Sequence, residues 1–210
     1  LAMNRFFINQ EQIDHGNIYF PPDISHQILN VLRLGEGTEV CVLDNQGRAY
    51  QVQLLFNRNA KKVRGKIITT EAVTTEPATK VSLCFGLSNR DKVEFILQKA
   101  TEVGVSAFYP FISSRTLVQR TDLGEKKSAR WKRIIREAAE QSQRGRLPNL
   151  HLPLELEDCI RAVKGIHDQM LVAWEESDAS QRNELSALIS DQEESLALFV
   201  GPEGGFSGEE

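Results

Sequence analysis

The chain has 210 residues, 40% hydrophobic and 26% charged, with 14 Gly and 7 Pro. This near-average globular composition excludes disordered, collagen-like and coiled-coil chains, and at about 150 residues per domain it admits one large domain or two small ones. The net charge of −4 hides an uneven division: residues 1–79 carry 8 basic against 8 acidic side chains, 80–146 carry 14 against 7, and 147–210 carry 3 against 14. A polyanion responds to local potential, so the basic middle block offers it a partner within an acidic protein. The competing reading is that the basic and acidic blocks neutralise each other across the fold or an oligomer interface. No apolar run approaches the ~18 residues that cross a bilayer, and the longest, at 196–200, has the length of a strand. Phe6, Phe7 and Ile8 are too few for a secretory core, which makes a cytoplasmic protein the expectation. Leu1 and Ala2, ahead of Met3, read as a cloning remnant.

Residues 5–75 read as short strands punctuated by turns. The strand-like segments are 6–8, 39–43, 49–56 and 62–68, and the turns are GEG at 35–37 and DNQG at 44–47. One helix interrupts them, capped by Ser25, running through Ile28, Leu29, Val31 and Leu32, and stopped by Gly35. Short strands closing on one helix suggest a small β-barrel. The Thr-rich TEAVTTEPAT at 70–79 reads as a linker, which divides the chain into domains 3–75 and 80–210. Strands and helices then alternate, with strands at 81–87, 105–112, 169–174 and 195–200 and helices at 91–103, 126–143, 158–163 and 180–189. Alternation of this kind predicts a parallel α/β sheet whose ligands sit at the carboxyl ends of its strands.

The histidines at 15, 26, 151 and 167 and the cysteines at 41, 84 and 159 show no metal-ligand spacing, so no metal is expected and the cysteines read as reduced thiols. Chemistry concentrates in two places. GPEGG at 201–205 follows the apolar strand LALFV; its three glycines let backbone approach a ligand, although an ordinary strand-to-helix turn reads the same way. It is neither a P-loop nor GxGxxG, and Ser207 with Glu210 has the spacing of a capping box. The second place is the helix at 126–143, crowded with Lys126, Lys127, Arg130, Lys132, Arg133 and Arg136 and followed by Arg144 and Arg146. This surface suits phosphates, the alternative being a solvated face with i,i+4 pairs such as Arg133 with Glu137. Lys99 and Glu102 read as a surface ion pair. Arg5, His26 and Arg33 are further candidates for RNA contact.

These segments together resemble the RsmE family of SPOUT-class methyltransferases. The matching stretches are RFF at 5–7, HQILNVLRLGEG, VLDNQGRAY, KVEFILQKATEVGV with YPFISSRT, RWKRIIREAAEQSQRGRLP and LFVGPEGGFSGEE. The resemblance implies a PUA-like N-terminal β-barrel, a C-terminal α/β SPOUT domain with a trefoil knot, and S-adenosylmethionine as cofactor. It further implies a homodimer and methylation of N3 of a specific uridine in small-subunit (16S) ribosomal RNA, free or in a ribosomal particle, with neither DNA nor membrane as partner. Val200, Gly201, Pro202, Glu203, Gly204 and Gly205 match the family's cofactor loop, and Ala173, Trp174 and Glu175 lie where such proteins place another cofactor wall. The sequence departs from the family's pattern by stopping at Glu210, before a further strand, a loop resembling LGxRILRxETA and a last helix. A truncated version of a longer protein, with its knot incomplete, is therefore expected.

Methyl transfer is an in-line displacement governed by positioning. Uridine N3 must lose its proton, and a cation near O2 or O4 would stabilise the anion, with Arg5 and Arg144 as the catalytic candidates in this chain and the arginine of the family's later loop as another. The expected RNA-binding residues are Arg5, His26, Arg33, Arg130, Arg133, Arg136, Arg144 and Arg146. The rival reading is a non-catalytic RNA-binding factor in ribosome assembly, in which GPEGG is merely a turn.

Overall fold

In the computed structural model, residues 3–57, 62–116, 124–174 and 194–210 are described. They divide into two compact units, one of Leu1–Glu76 with Ala139–Leu147 and one of Pro77–Ala138 with Pro148–Glu210.

The first unit opens with β1 (Arg5–Phe7), followed by β2 (Ile13–Asp14), β3 (Asn17–Tyr19), α1 (Pro22–His26), β4 (Glu39–Leu43), β5 (Arg48–Asn57) and β6 (Lys62–Ala72). They form one mixed sheet in the order β1-β4-β5-β6-β3-β2, in which β1 runs parallel to β4 and the other pairs are antiparallel. Strict alternation drives the sheet: Val40, Val42, Val52, Leu54 and Val63 point inward to meet Phe6, Ile18 and Ile28 in a buried cluster. The DNQG turn is built around Asp44. Its Oδ1 accepts the amides of Gln46 at 2.8 Å and Arg48 at 3.0 Å, and its Oδ2 accepts the Tyr50 hydroxyl at 3.2 Å.

Two local expectations are corrected here. The helix begins at Pro22, where proline's missing amide costs nothing, and buried Ser25 is no cap, because its hydroxyl donates inward to the Phe20 carbonyl at 3.1 Å. It continues into one π turn at Gln27–Val31, and the left-handed residue that follows is Arg33 (φ 52°), not Gly35. The β2–β3 hairpin went unread. Two- and three-residue strands are too short to show alternation, and the turn rests on positive φ at both His15 (44°) and Gly16 (78°).

The second unit contains β7 (Lys80–Gly86), α2 (Arg90–Val103), β8 (Ala107–Ile112), most of α3 (Gly124–Gln141), β9 (Asn149–Leu150), β10 (Leu154–Glu155), α4 (Leu156–Val163), β11 (Gln169–Ala173) and β12 (Ser195–Val200). Its strands are all parallel, in the order β10-β8-β7-β12-β11 with β9 beside β8. Asn89 caps α2 by accepting the Lys92 amide at 3.1 Å, and Gly104 ends it in the left-handed conformation. One cluster joins Phe85, Leu97 and Phe108 to Trp131 and Ile135; another holds Cys84 and Cys159, both buried and unbridged, with Phe111, Phe199 and Phe206. The helix expected at 180–189 lies outside the described residues. Ser207 to Glu210 forms a turn rather than the opening of a helix. Among the described residues no helix is long and apolar enough to cross a membrane, and no three metal-ligating side chains gather.

Candidate cofactor cleft

At the carboxyl ends of β11 and β12 lies an open cleft of about 150 Å³ lined by Ala173, Trp174, Val200, Gly201, Pro202, Glu203, Gly205 and Phe206. Seven of these were expected from sequence. Phe206 is the addition, and Gly204 is not among the lining residues; Glu175 lies outside the described residues. Phe206 is buried and stacks on Phe111 with centroids 6.0 Å apart, so the loop ends on a fixed aromatic floor. The signal for it was its place as the first apolar residue after the glycines.

The loop's shape is imposed from several sides. The Gly205 amide donates to the Pro202 carbonyl at 2.9 Å, with Gly205 at φ 68°, a conformation most side chains resist. Beneath it, a Cβ on Gly86 would lie 2.5 Å from both the nitrogen and Cδ of Pro202, so β7 presses its backbone directly against the loop. The Glu203 carboxylate turns to the start of α2: Oε1 accepts from the Ser88 hydroxyl at 2.6 Å and from Asn89 Nδ2 at 3.3 Å, and lies 3.0 Å from Lys92 Nζ. The Ser88 and Lys92 contacts hold this carboxyl at a pKa of about 2. Arg115 Nη1 donates to the Gly204 carbonyl at 2.7 Å, and the Glu210 carboxylate accepts the Ser114 amide at 2.7 Å and the Ser207 amide at 2.9 Å. Ser88, Lys92 and Arg115 were missed as loop supports. Only Ser88, just ahead of the Asn-Arg-Asp start of a helix, carried any local signal.

Such a cleft suits an amphipathic nucleoside. Backbone shaped by glycine lets a polar edge approach closely, Trp174 supplies an aromatic face, and Ala173, Val200 and Pro202 supply apolar wall. The volume is below the roughly 300–1,000 Å³ of complete ligand sites, so these residues fit part of a molecule the size of S-adenosylmethionine.

The arginines divide differently from expectation. In the first unit Arg144 is almost wholly buried and grips Glu76, with Nη2 2.7 Å from Oε2 and Nε 3.1 Å from Oε1. Glu76 also accepts the amides of Gly145 at 2.7 Å and Arg146 at 3.1 Å, which makes Arg144 a strut of its own loop. Arg146 Nη2 donates to the Gln46 carbonyl at 3.0 Å. Arg5 is only half-buried, donates weakly to the Arg144 carbonyl at 3.4 Å, and leaves Nε buried with no partner. His26 and Arg33 are exposed. In the second unit Arg130 is committed to Glu94 through two bonds of 2.6 and 2.7 Å, while Arg133 keeps a looser 3.7 Å pairing with Glu137; Arg136 also has a partner. The Arg130 guanidinium, followed by Arg90, holds the Glu94 carboxyl at about 2.

The RNA methyltransferase domain model matches residues 75–210. Ribosomal RNA small subunit methyltransferase E of Bacillus subtilis is 33% identical, the match covering 98% of this chain and 82% of the relative; that of Mesomycoplasma hyopneumoniae is 29% identical over 97% and 83%. A methyltransferase of Legionella pneumophila in complex with bound SAM is 25% identical and superposes with a TM-score of 0.84, covering 100% of this chain and 84% of the other. A ribosomal RNA small subunit methyltransferase E of Neisseria gonorrhoeae, bound to S-adenosyl methionine, is 24% identical and shares the fold at a TM-score of 0.85, covering 99% of this chain and 83% of the other. One identity in three, sustained along nearly the whole chain and joined to a domain match that includes the glycine loop, places this protein in the ribosomal RNA small subunit methyltransferase E family of RNA methyltransferases.

Proposed function

We infer that this chain is an S-adenosylmethionine-dependent ribosomal RNA methyltransferase, and we propose N3 of a uridine in small-subunit 16S RNA as its acceptor. The observation that carries the reading is the glycine loop at 201–205, clamped from four sides at the mouth of a parallel sheet and facing Trp174. The relatives' shared name speaks for catalysis rather than for RNA binding alone.

When bound, the cofactor supplies an electrophilic sulfonium methyl group. The chain's part is positional: the loop backbone and the wall of Ala173, Val200 and Pro202 orient the donor, and Trp174 covers a ring face. A loop already locked by Glu203 and Arg115 loses little freedom when it binds. The nucleobase must leave its stack to reach the methyl group, and its N3 anion needs a cation. Of the two arginines named for this role, Arg144 is neutralised by Glu76, whereas the Arg5 guanidinium makes no ion pair among the described residues. Within this reading the first unit's sheet is a PUA-like barrel that binds RNA and the second unit is a SPOUT domain. The trefoil knot and the homodimer come from the family resemblance, and a cytoplasmic location accords with ribosomal RNA as the substrate.

Incubating the protein with labelled S-adenosylmethionine and small-subunit RNA or particles, then analysing nucleosides, tests the proposal. Label is expected in 3-methyluridine. Binding of both substrates without transfer overturns the catalytic reading, and label in another nucleoside overturns the choice of N3.

A further inference from the structure

The outer face of the first unit's sheet carries a feature that the cleft does not use. Along β6, residues 62, 64 and 66 alternate outward as Lys62, Arg64 and Lys66, all exposed, while Val63 and Gly65 point to the core. The antiparallel registers extend this into rows. Tyr19, Arg64 and Leu55 are direct neighbours across β3, β6 and β5, and so are Asn17, Lys66 and Gln53. On the opposite, core-facing side Gly65 has no room for a side chain, since a Cβ there would lie 2.1 Å from Val52 Cγ1 and 3.2 Å from the Phe20 ring.

Solubility and edge protection explain most lysines on strands, yet neither requires this pattern. β6 is an interior strand of the sheet, so its cations guard no open edge. None of the three forms an ion pair among the described residues. The acids of the Lys66 row, Asp14 and Glu39, stand two strands away on either side, which at about 4.8 Å per strand is close to a Debye length. Both are already engaged, Asp14 with His15 and Glu39 with the Gln51 amide at 2.7 Å. Tyr19 lies beside Arg64 and is 44% exposed, a costly placement for a ring without a partner. Cations about 6.8 Å apart along one strand, flanked by a bare aromatic ring and by amides from Asn17 and Gln53, match a nucleic-acid backbone with unstacked bases.

We propose that the β3–β6–β5 face is a docking platform for single-stranded RNA, with Lys62, Arg64 and Lys66 on successive phosphates and Tyr19 stacking on a base. The proposal rests on the reading of the chain as an enzyme of ribosomal RNA and names where that RNA is held outside the cleft. The surface is sequence-tolerant: phosphates set affinity, and stacking selects unpaired over paired segments.

The full chain is titrated with a fluorescein-labelled single-stranded RNA, and with its duplex, across a salt series. Arg64→Ala with Lys66→Ala is expected to lower the slope of log affinity against log salt by about 1.4, at roughly 0.7 per lost phosphate contact. Tyr19→Ala is expected to weaken single-strand binding by about 5- to 150-fold, with the slope unchanged, and to spare the duplex. All three side chains are exposed, so thermal melting and calorimetric binding of S-adenosylmethionine should stay at wild-type values. Wild-type affinity and slope in the double variant overturn the platform, and equal loss on duplex and single strand overturns the stacking role of Tyr19. Failure of the wild-type protein to methylate ribosomal RNA would overturn the enzyme reading instead, a result independent of these titrations.

Discussion

Glu76 and Arg144 show how much one pair of side chains can decide. Burial alone would raise the Glu76 carboxyl, but the Arg144 guanidinium and the amides of Gly145 and Arg146 outweigh it and hold the group below its usual 4.5. A carboxyl lowered in the folded state stabilises above its unfolded value and loses that contribution as pH falls through its folded one. Glu76→Gln leaves the buried Arg144 without its counter-charge and should cost about 3 kcal/mol at neutral pH. Urea unfolding should show the gap between variant and wild type at neutral pH and its closure as pH falls through the lowered folded-state value, where the wild-type carboxyl itself takes up a proton. Glu203 acts on the cleft in a similar manner. Glu203→Gln keeps the shape but loses the charge that Lys92 and Ser88 hold, so calorimetry should report several-fold weaker S-adenosylmethionine binding with little change in melting temperature. With its carboxyl at about 2, the wild-type loop should keep its affinity from pH 8 down to about 4. The sequence displayed Glu203 as a member of GPEGG, yet nothing local revealed that its side chain faces α2 across more than a hundred residues.

Among the elements, legibility followed length and period. β4 and β12 alternate, or run apolar, between clear stops, and both were read at their observed bounds. α2 was read through its apolar face and Gly104. The short β2, β3, β9 and β10 gave no periodic signal, and the start of α1 was hidden by a serine that looked like a cap but donates into the core. The linker at 70–79 begins as strand, since β6 runs to Ala72 while its threonines pair with β5. Where elements meet closely, tertiary contact decides what sequence leaves open: Gly86 is an unremarked strand residue until its contact with Pro202 is seen. Gly86→Ala should displace the loop, destabilise the fold by about 1–3 kcal/mol, and abolish measurable S-adenosylmethionine binding. Retained affinity would mean that the loop tolerates a shift of its backbone.

At the scale of the whole molecule, the first unit is discontinuous in sequence, comprising Leu1–Glu76 and Ala139–Leu147. The returning segment completes it: Ala139 and Leu147 pack with Phe7 and Leu43, a Cβ on Gly145 would fall 1.8 Å from Val73 Cγ1, and the Leu147 amide donates to Asn45 at 2.6 Å. A fragment of residues 3–76 should therefore lack cooperative thermal unfolding, and the same fragment joined through a flexible linker to residues 139–147 should regain it. A cooperative transition in the short fragment would show that the return adds little. Because a ribosome emits the chain from its amino end, Glu76 waits for Arg144 through the synthesis of Pro77–Ala138, the first half of the second unit. Until that arginine emerges, the early sheet has an apolar flank and an unmatched carboxylate, a window in which a nascent-chain chaperone would find its substrate.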